Sequence, residues 1–333
     1  MEIIKNKLEQ IKIGQETTFR NLTLFPLLNG GIEQPDYLTL DEALAQGVAK
    51  ITEVSQGGSV PELKLVNDSD RAVFLLDGEE LVGAKQNRIL NLSILAPAKE
   101  TLLIPVSCVE QGRWSYASAE FTSAARTHYA GGRAMKMSQV TQSLETTGTR
   151  HSNQGEVWQD IAEKSGRMRS ASPTHAMAAM YEQHSTNIED YVKAFAAMAG
   201  QVGALFAING KIIGFDLFDY TATLEKLLPK LVRSYALDAL DKQGDNSPSL
   251  STETVEELLQ TVSQVEAKTF PATGIGDDVR FIGAKLTGGG LIAMERVVHL
   301  SAFTVEDNGE NANESRGTNV SRASIRRQHW QSR

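Results

Sequence analysis

The sequence predicts an α+β fold, in which strands and helices occupy separate stretches of the chain. The first third, up to about residue 118, consists of short segments rich in leucine and β-branched residues, separated by turn residues. From about residue 120 the apolar period becomes helical, and strand-like segments return before the tail. Because strands and helices do not alternate regularly, we expect the C-terminal strands to return to the same sheet system as the first ones.

The individual elements follow in order. A mixed-charge helix (MEIIKNKLEQ) opens the chain, and Thr39 should cap a short helix in LTLDEALAQG. Strands are expected in TFRNLTLFPLL, AKITEVS, ELKLVN, RAVFLL, EELVGA, RILNLSIL and TLLIPVSCVE. Four helices should follow, in RAMKMSQVTQSL, NQGEVWQDIAEKSGRM, PTHAMAAMYEQ and IEDYVKAFAAMA.

In the last third, Asn209-Gly210 predicts a hairpin between GALFAING and KIIGFDLF. The long helix TATLEKLLPKLVRSYALDAL contains Pro229, which should kink or divide it. After a polar loop and the helix TETVEELLQTVSQV come the closing strands, VRFIGAKLTGGGLIAMERVVHLSAF, in which the three glycines 288–290 are expected to form a turn.

Length and charge suggest one large domain with a basic tail. We expect a single domain over residues 1–305; the alternative is two coupled subdomains, 1–118 and 119–305. The net charge of the chain is −8, but residues 316–333 carry five arginines and no acid, so residues 1–315 carry −13. Such a body is a poor nucleic-acid binder. The tail, residues 306–333, should be disordered, and a solvated appendage is favoured over an arm that contacts RNA or an acidic partner.

Several chemistries are excluded or unsupported. The single cysteine, Cys108, excludes an intrachain disulfide and CxxC-type sites. The sequence contains no HExxH, Walker A or GxSxG motif, so no metal is expected and no cofactor is assigned. Asp216 with Asp219 is a conceivable metal pair, but Asp219 is more simply a helix N-cap. Lacking a signal-peptide-like start and any span of about 18 apolar residues, the chain is expected to be cytoplasmic and free of membrane contact.

The stretch DGEELVGAKQNRILN, residues 77–91, is unusually polar for its position between apolar strands. Asp77-Gly78 predicts a type I′ hairpin turn. Side-chain alternation predicts a second hairpin, of residues 88–95 with 101–110, that sets Arg88 opposite Cys108 and diagonal to Glu110. Gln86 has the same parity. Two interpretations of this cluster are open: a buried Arg88–Glu110 ion pair that closes the end of the sheet, or a ligand site. Spacing alone favours the ion pair.

Two motifs resemble the domain family associated with ADP-ribosylglycohydrolases and rhodanese-phosphatases. They are LLDGEELVGAKQNRILN and, after it, IPVSCVEQGRW. GQVGALFAINGKIIGFDLFD, KLVRSYALDAL and VVHLSAF also fit, so the resemblance covers roughly residues 5–305. It implies a context in pathways that process NAD-derived or ADP-ribosylated compounds, but no established catalytic residues. The positions that match its motifs are Gly78, Glu79, Gly83, Gln86, Asn87, Arg88, Cys108, Glu110, Arg113 and Trp114.

Side-chain chemistry then suggests roles for these positions. The candidate ligand-binding residues supply guanidinium clamps for phosphate, amides for a ribose or base edge, and an indole for stacking: Arg88, Arg113, Gln86, Asn87 and Trp114. The candidate general acids or bases are Glu79, Glu80 and Glu110. Since Glu79 and Glu80 point to opposite faces, at least one should be exposed. Cys108 is expected to be a buried packing residue and not a nucleophile.

Two functions therefore stand side by side. In the first, the protein binds or processes an ADP-ribose, NAD-derived or other phosphorylated nucleotide-like compound, with or without catalysis. In the second, it is a non-catalytic partner module of an ADP-ribose-processing enzyme. Two weaker signals favour an anionic ligand. Glycines precede a basic helix in HYAGGRAMKMSQ, and residues 126–169 contain enough basic side chains for a local positive funnel.

Overall fold

The computed structural model describes residues 2–29, 34–242 and 250–305. It has the expected α+β architecture, with strands at both ends and helices in the middle. The N-terminal part contains α1 (Glu2–Glu9), β1 (Lys12–Ile13), β2 (Thr17–Phe19), β3 (Leu22–Leu28), β4 (Tyr37–Thr39), α2 (Leu40–Ala45), β5 (Ala49–Glu53), β6 (Glu62–Asn67), β7 (Ala72–Leu75), β8 (Glu79–Gly83), β9 (Arg88–Leu90), β10 (Ile94–Ala96), β11 (Glu100–Cys108) and β12 (Phe121–Thr127).

The helical middle and the returning strands make up the rest. They are α3 (Ala130–Thr147), α4 (Gln154–Arg167), α5 (Ala178–Gln183), α6 (Ser185–Ala194), β13 (Gln201–Ile208), β14 (Lys211–Phe218), α7 (Thr221–Asp241), α8 (Thr252–Gln264), β15 (Lys268–Pro271), β16 (Asp277–Ile282), β17 (Leu286–Ala293) and β18 (Arg296–Thr304). No helix of the described ranges is both long and apolar enough to cross a membrane.

A nine-stranded sheet joins the two ends of the chain. Its order is β1-β3-β13-β14-β18-β17-β16-β15, with β2 paired to β3. The N-terminal β3 lies antiparallel to β13, so that Leu24 is opposite Phe206, and β14 lies against the C-terminal β18. This confirms that the early and late strands share one sheet system. The predicted Asn209-Gly210 turn is also confirmed, since both residues have positive φ, as a type I′ turn requires.

A closed six-stranded barrel, in the order β11-β6-β5-β12-β8-β9, carries the polar stretch. Its inward-facing apolar residues belong to one buried cluster, as expected for a small barrel filled by side chains. They include Ile51, Leu63, Leu65, Leu81, Leu90, Ile104, Val106 and Phe121. Antiparallel neighbours bring the C-terminal ends of β5, β8 and β11 and the start of β9 to the same end of the barrel.

Two predicted hairpins are wrong in part. The strands that flank Asp77-Gly78 belong to different sheets, because β7 pairs with β4 and β10 while β8 is in the barrel. Only Gly78 has positive φ, 78°, which fits a type II turn and not type I′. In the second hairpin Cys108 lies opposite Arg88 as predicted. Beyond Leu90 the chain leaves the barrel, so Leu95 pairs with β7 and not with β11.

The helices agree with the predictions from the sequence, with two exceptions in α7. Thr39 caps α2 with a complete capping box, as predicted from its position. Helix α7 is continuous through Pro229, so the predicted division of the helix is wrong. Its N-cap is Tyr220 and not Asp219. The Asp219 carboxylate is instead engaged by the Tyr37 hydroxyl at 2.6 Å and by Arg296 Nε at 2.9 Å.

The glycines 288–290 lie inside β17 and do not form the predicted turn. The turn to β18 is made by Met294 and Glu295, both with positive φ. The glycines are required by packing, because a Cβ at Gly288 would lie 2.0 Å from the buried ring of Phe281 on the neighbouring strand.

Gly288→Ala should therefore lower the free energy of unfolding by about 1–3 kcal/mol, the usual cost of overpacking a core. Gly166→Ala in α4 is the matched control, since an added Cβ there meets no atom within 4 Å and alanine favours a helix. Urea unfolding followed by circular dichroism measures both variants. Equal stability of the two variants would contradict the packing explanation.

Two expectations lie outside the described residues. They are the disordered tail, residues 306–333, and most of the polar loop before α8, residues 243–249. The division into one domain or two subdomains stays a prediction.

Candidate functional site

Most of the matching motif residues meet at the end of the barrel where β8 passes into β9, whereas Gly78 and Glu79 lie at the start of β8. Residues 84–87, most of which lie between the predicted strands EELVGA and RILNLSIL, form a buried loop between the two. The loop is sharply bent, since Gly83 has φ 135° and Ala84 has φ 38°. A Cβ at Gly83 would lie 2.6 Å from the carbonyl oxygen of Glu120, which explains why glycine stands there.

Arg88 is the exceptional side chain of this loop. It is wholly buried and points to the barrel interior, opposite Cys108. Its Nη1 donates to Gln86 Oε1 at 2.8 Å. Nε and Nη2 are buried and make no hydrogen bond of good geometry within the described part of the chain, although the Cys108 thiol is close enough to raise the pKa of Arg88. Burial lowers the pKa of the Arg88 guanidinium, but an arginine remains charged at neutral pH.

Glu110 does not pair with Arg88, which corrects the expected ion pair. Its Oε2 accepts from Arg113 Nε at 2.9 Å and from the Asn87 backbone N–H at 3.1 Å, and its Oε1 accepts from Thr174 at 2.9 Å. The parity that placed Glu110 beside Arg88 holds only within a strand. Strand β11 ends at Cys108, and Glu110 instead forms an isolated bridge with Ala176.

The other predicted polar residues form hydrogen bonds with groups of the protein itself. Arg113 lies beside Asn87, as expected, with Nη2 at 3.0 Å from Asn87 Oδ1, and its Nη1 donates to the Ala84 carbonyl at 2.7 Å. Gln86 donates to the Glu110 carbonyl at 3.0 Å. These three side chains fix the shape of the loop, whereas two buried donors of Arg88 have no acceptor among the described residues.

Glu79 and Glu80 are both buried, so the expectation that one is exposed is wrong. Each carboxylate contacts a cation from another element: Lys230 of α7 for Glu79 and Arg126 of β12 for Glu80. Burial raises the pKa of Glu80 in spite of Arg126. The two glutamates point to opposite faces of β8, and Glu79, at the start of the strand, has the same parity as the inward-facing Leu81.

Trp114 covers the barrel end from the loop after β11. Its ring centroid lies 5.6 Å from the Arg88 guanidinium carbon and 5.1 Å from Lys85 Nζ, and the residue is 48% exposed. Lys85 Nζ donates to the Gly57 carbonyl at 2.7 Å, and the Tyr116 hydroxyl donates to the Gln56 carbonyl at 3.3 Å. These contacts hold the loop of residues 54–60 over the barrel mouth.

Glu53 is the site residue that the sequence reasoning did not identify. It is the last residue of β5 and is buried, with Oε1 accepting the Lys85 backbone N–H at 3.3 Å. Its Oε2 is buried and has no hydrogen-bond partner among the described residues. A signal existed in AKITEVS, because Glu53 has the same parity as the core residue Ile51 and a glutamate on an apolar face is unusual.

Cys108 is buried, as expected of a packing residue. Burial raises the pKa of its thiol, and hydrogen bonding and the Arg88 charge oppose this only in part. Its backbone is held by Gln154 of α4, which accepts from the Cys108 N–H at 2.8 Å. A protonated, enclosed thiol is a poor nucleophile.

The basic residues of 126–169 were expected to create a local positive potential. This is wrong for the buried ones, because carboxylates of the protein neutralise their charge. Arg133 makes a double hydrogen bond to Asp216, and Lys164 donates to Asp238 at 2.6 Å. The Gly131 backbone N–H, at the start of α3, donates to the same Asp238 carboxylate at 2.9 Å. The anion predicted at this helix end is therefore an aspartate of α7.

Away from the barrel end, three side chains are hydrogen-bonded in the order Ser93–His299–Asp216, the order found in a hydrolase catalytic triad. Ser93 Oγ lies 2.9 Å from His299 Nδ1, and His299 Nε2 lies 3.1 Å from Asp216. The cavity beside it has a volume of only about 10 Å³, room for one water molecule at most. Since no substrate fits, we interpret these hydrogen bonds as a structural network. Nowhere in residues 2–29, 34–242 and 250–305 do three or more metal-ligating side chains form a group.

Two larger cavities lie along α3, away from the barrel end. One, of about 560 Å³, includes Lys164 and Arg167 together with their partner Asp241. The other, of about 1020 Å³, is lined mainly by hydroxyl and amide side chains such as Ser138, Gln142 and Thr146. The first has its buried charge already paired and the second has no buried charge, so neither offers the unused donors that Arg88 has.

Comparison with known proteins agrees with the motif resemblance. The family model for the ARG and Rhodanese-Phosphatase-superfamily-associated Protein domain matches residues 10–303, and the chain belongs to this family. No curated protein and no solved structure matches the chain. The family's name links the domain to ADP-ribosylglycohydrolases and rhodanese-phosphatases.

Proposed function

We propose that this member of the family binds a phosphorylated, nucleotide-like compound, such as ADP-ribose or an NAD-derived product, at the barrel end. The observation that carries the proposal is the buried guanidinium edge of Arg88, whose Nε and Nη2 have no acceptor, behind the half-exposed indole of Trp114. Guanidinium edges match pairs of phosphate oxygens, and an indole stacks on a base.

The energetics support a ligand at Arg88. A buried donor without a partner costs about 1–3 kcal/mol, and more when it is charged. A phosphate that accepts from Nε and Nη2 would remove this cost. We propose binding and assign no catalytic step, because Glu79, Glu80 and Glu110 are all engaged by cations or N–H groups of the protein.

A second candidate, a partner module for an ADP-ribose-processing enzyme, is favoured by one observation. Trp114 and Tyr116 are both about half exposed on neighbouring positions of the same loop. Exposed aromatic side chains are common at protein interfaces. In this alternative the aromatic pair contacts a protein and the barrel end binds no nucleotide.

Thermal unfolding with added compounds separates the two candidates. With ADP-ribose, NAD, AMP or ribose 5-phosphate at about 100 times its Kd, mass action adds about 2.7 kcal/mol and should raise the Tm by about 5 °C or more. Arg88→Met should lose this shift. The control Arg20→Met, which removes an exposed arginine paired with Asp190, should keep it.

Two outcomes would count against the proposal. A shift that persists in Arg88→Met would place the ligand elsewhere. No shift of the wild-type protein with any of the four compounds would favour the partner module.

A further inference from the structure

Glu53 and Arg88 are oppositely charged, buried at the same end of the barrel, and not in contact. Register partners place both side chains on the inward face, since Glu53 lies opposite Leu63 and Arg88 lies opposite Cys108. Each keeps a buried polar atom without a hydrogen-bond partner among the described residues: Oε2 of Glu53, and Nε and Nη2 of Arg88. No ion pair within 4.0 Å joins the two groups, although the Glu53 charge acts on Arg88.

This separation is costly unless something lies between the two groups. Buried opposite charges gain most by direct contact with satisfied hydrogen bonds, and each loses free energy when it stands apart and unsatisfied. A bound group that accepts from Arg88 and donates to Glu53 would satisfy both at once. A bare anion would not, because the Glu53 carboxylate repels it and offers only an acceptor.

Gly58, in the loop of residues 54–60, lies next to Glu53 and the Trp114 indole. Glu53, Trp114 and Lys85 all approach Gly58 closely, so that a Cβ at Gly58 would lie 3.2–3.4 Å from atoms of each. Gly58 has φ 78°, a conformation that favours glycine. The loop of residues 54–60 therefore closes directly over Glu53 and beside the indole.

We propose that Glu53 is a second binding residue of this site, which accepts a hydrogen bond from a sugar hydroxyl of the ligand whose phosphate lies at Arg88. This inference rests on the proposed function and narrows it to a phosphorylated sugar or ribonucleotide that keeps its ribose hydroxyls. A site that holds a buried acceptor for a hydroxyl rejects an analogue without it, because the acceptor is then left unpaired.

Calorimetric titration with AMP and 2′,3′-dideoxy-AMP tests the inference. The wild-type protein should bind AMP at least tenfold more tightly than the dideoxy compound. Glu53→Gln should bind AMP more weakly and reduce the preference to less than about threefold, because the charged acceptor is lost. Glu53→Asp, which keeps the charge but shortens the side chain, should also lower the preference and covers the case in which Glu53→Gln does not fold. Glu100→Gln, an exposed residue at the start of β11, is the control and should keep the wild-type preference.

The outcomes separate this inference from the proposed function. If AMP binds and Arg88→Met abolishes the binding, but both Glu53 variants keep the wild-type preference, the role of Glu53 is refuted and the proposed function stands. If the wild-type protein binds neither compound nor any other phosphorylated sugar, the proposed function fails and the inference falls with it.

Discussion

Replacing Arg133 with methionine should lower the free energy of unfolding by about 3–5 kcal/mol, the usual cost of breaking a buried ion pair from one side. Arg133 is wholly buried and donates to Asp216 at 3.0 and 2.6 Å, and its Nε lies 3.5 Å from Asp77. Burial alone would raise the pKa of Asp216, but Arg133 and His299 lower it to about 2. The variant leaves this carboxylate buried without its hydrogen-bonded cation, although His299 still contacts it.

Arg88→Met is the matched control for this measurement. Arg88 is equally buried but makes no ion pair with a carboxylate of the described residues, so removing it breaks no hydrogen-bonded charge pair. Its free energy of unfolding should stay within about 1 kcal/mol of the wild type or increase, as when a poorly satisfied buried charge is replaced by an apolar side chain. Urea unfolding of both variants provides the comparison. Similar losses in the two would show that Arg88 has an anionic partner in the folded protein.

Arg113→Ala should destabilise the protein by about 2–4 kcal/mol, because it strands the buried carboxylate of Glu110 and releases the loop of residues 84–87. This reverses the expectation from the sequence, in which Arg88 was the partner of Glu110. The Arg113 guanidinium also donates to backbone carbonyls of the loop, so Arg113→Lys should restore only part of the loss.

The pH dependence of Arg113→Ala provides an internal check. Burial raises the pKa of Glu110, but hydrogen bonds from Arg113, Asn87 and Thr174 outweigh it and hold the pKa below its usual value. Because the folded-state pKa is lowered, this stabilisation is present above the unfolded value of about 4.3 and is lost as the pH falls below it. The deficit of Arg113→Ala should therefore be largest at neutral pH and narrow below about pH 4. A deficit independent of pH would mean that Glu110 is not its cause.

Local patterns predicted much of the fold. Alternation and turn residues identified most of the strands but not β1, β4, β12 or β15, and the same parity correctly set Arg88 opposite Cys108. The errors arose where pairing depends on distant segments. Nothing local shows that the chain leaves the barrel after Leu90 to pair with β7, or that Gly288 is needed by the ring of Phe281.

The sequence predicted the location of the site better than it predicted the contacts within the site. Residues 86–88 do meet Cys108, Glu110 and Arg113, but their partners were assigned by extending strand parity past the end of β11. Asp77 and Glu79 instead contact lysines of α3 and α7. Glu53 escaped notice because it comes from AKITEVS, more than 30 residues before Arg88, and only closure of the barrel brings the two together. An inward-facing glutamate is visible in sequence, but its partner is not.

A crystal structure of the protein with ADP-ribose or AMP tests the central claim most directly. The account predicts phosphate oxygens about 3 Å from both Nε and Nη2 of Arg88, with the base or ribose against Trp114. A complex in which these nitrogens contact only water, while the nucleotide lies elsewhere, for example along α3, would contradict it.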